Sequence, residues 1–163
     1  ISAAAISNPD LVTQIAAITG RQSVVAAIDI RKRRGLFAKG YEVVSHNSKI
    51  VHKLDPIILA KNLQDAGAGE IVINSVDNDG LMNGYDIDFA IQLLDVLDIP
   101  LTVLGGAGSL NDISTLIRKC GLIGVGVGSL FVFKGKYRAV LINYPSKEQK
   151  DEIFDMEISH IEK

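Results

Sequence analysis

The chain has 163 residues, a length that fits a single domain with a sizeable hydrophobic core. It is 47% hydrophobic and 22% charged, which argues against a disordered or collagen-like polypeptide. The net charge of −2 provides no basic field for binding nucleic acid or an anionic membrane. The single cysteine, Cys120, excludes an internal disulfide, and no apolar run reaches the ~18 residues of a membrane span. We therefore expect a cytoplasmic protein.

Four short apolar runs alternate with segments that carry helix signals. Such runs are typical of parallel strands buried on both faces, and their alternation with helices predicts right-handed βαβ units. We therefore predict an α/β fold with a parallel sheet. The predicted strands are Ser23–Asp29, Glu70–Asp77, Pro100–Gly106 and Leu122–Ser129, and Ile1–Ala5 is read as the end of a further strand.

Proline and polar capping residues indicate where the helices begin. Residues 30–54 form the one long connection, and apolar residues around His46-Asn47 predict a small hairpin over one end of the sheet. The helices are expected to begin near Asn8-Pro9, Asp55-Pro56, Asp86 and Asn111, and a last helix is expected over Lys147 to Ile161 with Ile153, Phe154 and Ile158 on one side.

Polar and glycine residues follow the predicted strands where ligands gather in parallel α/β folds, at the carboxyl ends. Glycine turns let a phosphate approach backbone N–H groups. One interpretation is that these glycines only allow the chain to turn tightly. Glycine turns after two adjacent strands, together with an Asp-Gly pair after a third, favour a phosphate site instead. The residues concerned are Asp79, Gly80, Gly105, Gly106, Gly128 and Ser129.

Asp29 ends an apolar strand, where a charged group is costly unless it is used or paired. It is a candidate general acid or base, and the alternative is a cap or a salt bridge to Arg31 or Lys32. Gly124 and Gly126 are explained by close packing of neighbouring chain segments inside a barrel.

The three histidines lack metal-ligand spacing, so neither a metal nor another cofactor is expected. Cys120 is interpreted as a packing residue.

Five motifs together resemble the C-terminal half of the cyclase subunit of imidazole glycerol phosphate synthase, an eightfold (β/α) barrel. They are ISAAAISNPDLV, VVAAIDIRK, GAGEIVINSVDNDGLMNGYD, LTVLGGAGSLNDI and GVGVGSLFVF, between about residues 1 and 133. The resemblance implies that residues 1–163 run from the end of the fourth barrel strand through the eighth helix of one (β/α)8 domain. The first three strands would then lie outside this chain.

The resemblance also implies roles. Asp29 corresponds to one of two acid–base aspartates, and Asp79, Gly80, Gly105, Gly106, Gly128 and Ser129 match a substrate phosphate site. Glu70 matches a gate through which ammonia enters from a glutaminase subunit at the amino-terminal face of the barrel. The family is a lyase of histidine biosynthesis: it uses that ammonia to convert a phosphorylated ribulosyl imine to imidazole glycerol phosphate and an aminoimidazole carboxamide ribotide.

Several positions depart from the family pattern. Ser2-Ala3 stand where an Asn-Thr pair contacts the second phosphate, Leu104 replaces a small polar residue, and NSKIVHKLDP lacks the usual Thr-Gly. Val140–Pro145, VLINYP, resembles the related glycosyl-amidation-associated proteins, which help to deliver ammonia to a surface-polysaccharide sugar. Two alternatives to the cyclase therefore remain: that sugar-amidation paralogue, and a non-catalytic scaffold that channels ammonia.

Overall fold

The computed structural model describes residues 1–35, 38–135 and 137–158. A six-stranded sheet has the strand order β3-β2-β1-β4-β5-β6, and β7 and β8 form a separate ribbon. The strands are β1 Val25–Lys32, β2 Tyr41–Ser45, β3 Ile50–His52, β4 Glu70–Ser75, β5 Leu101–Leu104, β6 Gly124–Val125, β7 Phe133–Lys134 and β8 Ala139–Val140. The α-helices are α1 Ala3–Ser7, α2 Asp10–Thr19, α3 Pro56–Ala66, α4 Ile87–Leu94, α5 Leu110–Cys120, α6 Ser129–Val132 and α7 Lys147–Ile158, with a 3-10 helix at Arg21–Ser23.

The four strands β1, β4, β5 and β6 are parallel and alternate with helices, which confirms the predicted α/β class. β1 begins later than predicted because Arg21–Ser23 form a 3-10 turn, and it continues to Lys32 because β2 pairs with its last residues. β6 was predicted over Leu122–Ser129 but comprises only Gly124–Val125. Its glycine-rich continuation offers few side chains for packing, which weakens a strand.

The predicted hairpin forms, but its position differs from the expectation. β2 and β3 do not lie over an end of the sheet; they extend it laterally as antiparallel strands beside β1. The turn contains His46, Asn47 and Ser48, all with positive φ. The backbone of β1 beyond Asp29 therefore finds its hydrogen-bonding partners in this hairpin.

Ile1 lies along the other half of β1. Its amino group donates to the Val25 carbonyl at 2.8 Å, and the Ala27 N–H donates to the Ile1 carbonyl at 2.8 Å, which is the bonding pattern of a parallel bridge. The expectation of a strand end over Ile1–Ala5 was wrong beyond this position, because Ala3–Ser7 form α1.

The helices cover one face of the sheet and supply the core. Asp55 caps α3 as predicted, but α5 is capped by Ser109 and not by Asn111. In α7, Ile153 is buried and Phe154 is 53% exposed, and both line one cavity, as expected for residues on one side of the helix. The side chain of Ile158 lies outside the described part of the chain. The end of the predicted last helix, with His160 and Ile161, lies outside the described residues. Residues buried between the sheet and the helices include Ile28, Ile30, Ile71, Ile73, Leu101, Val103, Phe89, Leu93 and Leu116.

The opposite side of the parallel strands, which we call the open face, is only half-buried. Side chains alternate across a strand, so the residues between the buried ones share this side. Apart from the more exposed Val25, each is partly accessible to solvent. The open face consists of Val25, Ala27, Asp29, Glu70, Val72, Asn74, Thr102 and Leu104.

Candidate active site

Asp29 lies on the open face near the carboxyl end of β1, directly opposite Asn74 of β4. The Asn74 amide donates from Nδ2 to Asp29 Oδ1 at 2.9 Å. The considered salt bridge to Arg31 does not form, because Arg31 Nε lies 2.7 Å from Glu42 Oε1. No ion pair joins Lys32 to Asp29 among the described residues. Asp29 is therefore held by a neutral donor, which leaves its second carboxylate oxygen available to a ligand.

Asn74 was not singled out from the sequence. The sequence nevertheless contains an indication of its role. β4 is largely apolar, and Asn74 is a polar residue at one of the alternate positions that face away from the helices. Its Oδ1 is shielded from solvent and has no hydrogen-bond donor among the described residues. Because Asp29 Oδ1 accepts this hydrogen bond and only the amide nitrogen of Asn74 can donate it, the contact fixes the orientation of the Asn74 amide. Asn74 is thus the residue that positions Asp29.

The loop after β4 lies beside the beginning of α6. The Asp79 N–H donates to the Ser75 carbonyl at 2.9 Å, which turns the chain back over the end of β4. A Cβ atom at Gly80 would stand 3.8 Å from Ser129 Oγ, so these predicted site residues are brought together. At Gly128 a Cβ would meet no atom within 4 Å. We call the space bordered by Gly80, Gly128 and Ser129 the glycine opening.

Gly105 and Gly106 form a tight turn after β5, the alternative raised in the sequence analysis. Both have positive φ, and a Cβ at Gly105 would lie 2.6 Å from the Ser75 carbonyl oxygen. A Cβ at Gly106 would collide with the Gly84 carbonyl, and the Gly84 N–H donates to the Gly106 carbonyl at 2.8 Å. The close backbone approach therefore explains both glycines, whether or not a phosphate binds nearby.

Tyr85 joins two of the loops at this end of the sheet. Its hydroxyl donates to the Gly126 carbonyl at 2.9 Å, and its side chain is almost fully buried. Burial raises the pKa of the Tyr85 phenol, and the negative charge of Asp112 raises it further. The phenol therefore stays protonated and continues to donate. No local sequence pattern indicated this contact, because its partner is 41 residues away.

Glu70 lies at the opposite, amino-terminal end of β4, as the ammonia-gate prediction requires. Thr102 Oγ1 donates to Glu70 Oε1 at 2.7 Å. Glu70 and Asn74 are four residues apart on the same face, about 13 Å at the rise of a strand. Small and aliphatic side chains, Ala27 and Val72, line the open face between them.

The remaining candidates have structural explanations. A Cβ at Gly124 would collide with Thr102, and one at Gly126 with Leu104, which agrees with the predicted close packing. Burial raises the pKa of the Cys120 thiol despite the nearby charge of Lys119, which fits a packing residue. Within the described ranges, no group of three or more His, Cys, Asp or Glu side chains could hold a metal ion. None of the described helices is long and apolar enough to cross a membrane.

The chain is similar to proteins whose names refer to histidine biosynthesis or to imidazole glycerol phosphate synthase. A family model described as "Histidine biosynthesis protein" matches residues 1–138. The chain is 45% identical over 156 residues to "Putative imidazole glycerol phosphate synthase subunit hisF3" of Vibrio vulnificus, covering 96% of this chain and 59% of the relative. It is 46% identical over 154 residues to "Putative imidazole glycerol phosphate synthase subunit HisF" of Leptospira interrogans, covering 94% and 60% respectively.

The name of a third relative does not contain the word "Putative". "Imidazole glycerol phosphate synthase subunit HisF" of Clostridium botulinum is 34% identical over 148 residues, covering 91% of this chain and 58% of the relative. The chain spans about three fifths of the length of these relatives. The strands of the chain alternate with helices as in a (β/α)8 barrel, so the chain forms part of such a barrel. Because the family model matches most of the chain, the chain belongs to the histidine biosynthesis protein family.

Proposed function

We propose that the protein is a cyclase-type lyase that uses ammonia from a glutaminase subunit. Its substrate would be the phosphorylated ribulosyl imine, and its products imidazole glycerol phosphate and an aminoimidazole carboxamide ribotide. The observation that carries the proposal is the placement of Asp29, held by Asn74 at 2.9 Å, at the same end of the sheet as the glycine opening. A carboxylate and a gap bordered by glycines thus lie at one end of the sheet, which supports the proposal.

The proposed chemistry of Asp29 is acid–base catalysis. Addition of ammonia and closure of the imidazole ring require protons to leave nitrogen and to be returned, and a positioned carboxylate can carry them. The Asn74 amide restrains one carboxylate oxygen and leaves the other for the substrate. The backbone and hydroxyl groups around Gly80 and Ser129 would hold a substrate phosphate, and so fix the reacting atoms relative to Asp29.

We further propose that ammonia enters at Glu70 and travels along the open face. Glu70 lies at the amino-terminal end of β4, and its carboxylate is restrained by Thr102. The surface from there to Asp29 has small and aliphatic side chains, Ala27 and Val72, that do not bind ammonia strongly. A glutaminase subunit docked at the amino-terminal face would deliver ammonia to this entrance.

The test compares two variants with two sources of ammonia in the full protein. Asp29→Asn preserves the shape of the side chain but cannot accept a proton, so turnover should fall by about 10²-fold or more with either ammonium salts or glutamine. Glu70→Gln should lower only the glutamine-dependent rate, because ammonium salts bypass the entrance. Asp95→Asn, at an exposed carboxylate beyond α4, is the matched control and should leave both rates unchanged.

Each outcome bears on a different part of the proposal. Retention of ammonium-dependent turnover by Asp29→Asn would overturn the role of Asp29. Equal loss of both rates in Glu70→Gln would overturn the entrance. No turnover of the histidine intermediate by the unaltered protein would exclude the cyclase and leave the sugar-amidation paralogue or the channelling scaffold.

Sequence differences favour the sugar-amidation paralogue as the second candidate. The chain is 45% and 46% identical to the two relatives whose names begin with "Putative", but 34% identical to the Clostridium botulinum protein. Leu104, whose side chain packs against the Gly126 position, stands at a point on the open face where the family has a small polar residue. An apolar side chain there would remove one polar contact to the substrate. Amidation of a polysaccharide sugar, assayed with the glutaminase partner, separates the two functions.

A further inference from the structure

The ribbon of β7 and β8 places an arginine next to the glycine opening. Phe133 pairs with Val140 and Lys134 with Ala139, and Arg138 directly precedes the second strand of this ribbon. Arg138 Nη2 donates to the Gly80 carbonyl at 3.1 Å. Gly80 is also the residue whose Cβ position lies 3.8 Å from Ser129 Oγ. The guanidinium and the Ser129 hydroxyl are thus both neighbours of Gly80.

Two further contacts hold the side chain and backbone of Arg138 in place. The guanidinium carbon lies 4.9 Å from the centre of the Phe133 ring, a cation–π arrangement. The Arg138 N–H donates to the Gly135 carbonyl at 3.0 Å. Arg138 itself has a φ of 48°, in the left-handed region that is costly for a residue with a side chain.

The charge of Arg138 has no protein counterpart in the described part of the chain, where no carboxylate lies within ion-pair distance of it. A guanidinium carries five N–H donors, and one of them binds the Gly80 carbonyl. The others remain for an acceptor from outside the chain. Guanidinium groups bind phosphate oxygens with charge-assisted hydrogen bonds. The unpaired charge and the spare donors therefore match an anion in the glycine opening.

We propose that Arg138 binds the phosphate group of the ligand in the glycine opening and is a specificity-determining residue of this protein. The inference rests on the proposed phosphate site and adds to it a side-chain cation, where the resemblance provided only glycines, an aspartate and a serine. Arg138 gives the site a preference for a dianionic end group over a neutral one. It also makes binding weaker as salt concentration rises, because the guanidinium is exposed.

The test measures binding of inorganic phosphate to the full protein by titration calorimetry at two salt concentrations. Arg138→Gln retains a donor for the Gly80 carbonyl but has no charge, and it places another residue with a side chain at the same φ. We expect affinity to fall at least tenfold, about 1.4 kcal/mol, and its salt dependence to decrease. Arg138→Lys should bind with intermediate affinity. Arg118→Gln, which removes an exposed arginine on α5, is the matched control and should bind as the unaltered protein does.

The outcomes distinguish this inference from the function on which it rests. If the unaltered protein binds phosphate and Arg138→Gln binds it equally well, Arg138 only fastens the ribbon to the Gly80 loop and the inference is overturned. If the unaltered protein does not bind phosphate, the phosphate site itself is overturned, and the role of Arg138 with it. Thermal unfolding of each variant shows whether a loss of affinity comes from a loss of folding; a loss of affinity that tracks unfolding counts against the inference.

Discussion

A few side chains decide how the loops at the carboxyl ends of the strands are arranged. Asn74 orients Asp29, and Tyr85 ties the loop after β4 to the backbone beyond β6. Both make contacts to residues that are distant in sequence. The glycine turn at Gly105 and Gly106 could be recognised from the chain, but the Ser75 and Gly84 carbonyls that make it necessary could not.

The Tyr85 contact leads to a prediction for Tyr85→Phe. Loss of the hydroxyl leaves the Gly126 carbonyl without this donor, and we expect the free energy of unfolding to fall by about 1 kcal/mol. The folded state raises the phenol pKa above its ordinary value of 10.0, so the contribution is fully present below that pH and is lost as the pH rises above it. Denaturant unfolding from pH 6 to pH 9 should show a constant difference. Tyr137→Phe, at a 90% exposed tyrosine, should show none.

At the scale of single elements, α3 is a helix whose ends are specified locally. Asp55 Oδ1 accepts the N–H groups of Ile57 and Ile58, Pro56 occupies the first turn, and Gly67 ends the helix. These are short-range contacts, so the sequence alone predicts them. β6 is the opposite case, because it is an edge strand with only β5 as a neighbour in the described chain, and its length depends on that pairing.

The cap of α3 is tested by Asp55→Ala. Removal of the carboxylate leaves the two N–H groups without their acceptor, and we expect a loss of about 1 kcal/mol in the free energy of unfolding. Asp65→Ala, at an exposed aspartate near the end of the same helix, is the matched control. Its effect should be close to zero, since alanine also has the higher helix propensity. Equal effects of the two substitutions in denaturant unfolding would contradict the capping role.

At the scale of the whole molecule, the helices in the described part of the chain cover one face of the sheet and leave the open face without a helix. The open face is half-buried, and the outer edge of β6 has no strand beside it in the described ranges. Exposed apolar side chains lie near both edge strands of the sheet, among them Ile50 and Val51 in β3 and Leu122 before β6. Uncovered strand edges and apolar patches of this kind promote association.

We therefore predict that a polypeptide of these 163 residues alone self-associates through the open face and the edge of β6. Light scattering coupled to size exclusion should give a mass above the 17.5 kDa of one chain, and the mass should rise with concentration. Adding chain that completes the barrel should suppress this association, because a closed barrel has no edges. A monomer with a cooperative melting transition would contradict this prediction, because it would show that the 163 residues are stable with the open face exposed to solvent.

The sequence by itself determined the alternation of strands and helices, the beginning of α3, the hairpin and the family. These depend on hydrophobic period, capping residues and short motifs, which act over a few neighbouring residues. Only the tertiary structure decided where the hairpin pairs and how short β6 is. It also decided that Asn74 contacts Asp29, that Tyr85 contacts the Gly126 carbonyl and that Arg138 contacts the Gly80 carbonyl. Each of these is a contact between segments far apart in sequence, and it exists only once the sheet has brought them together.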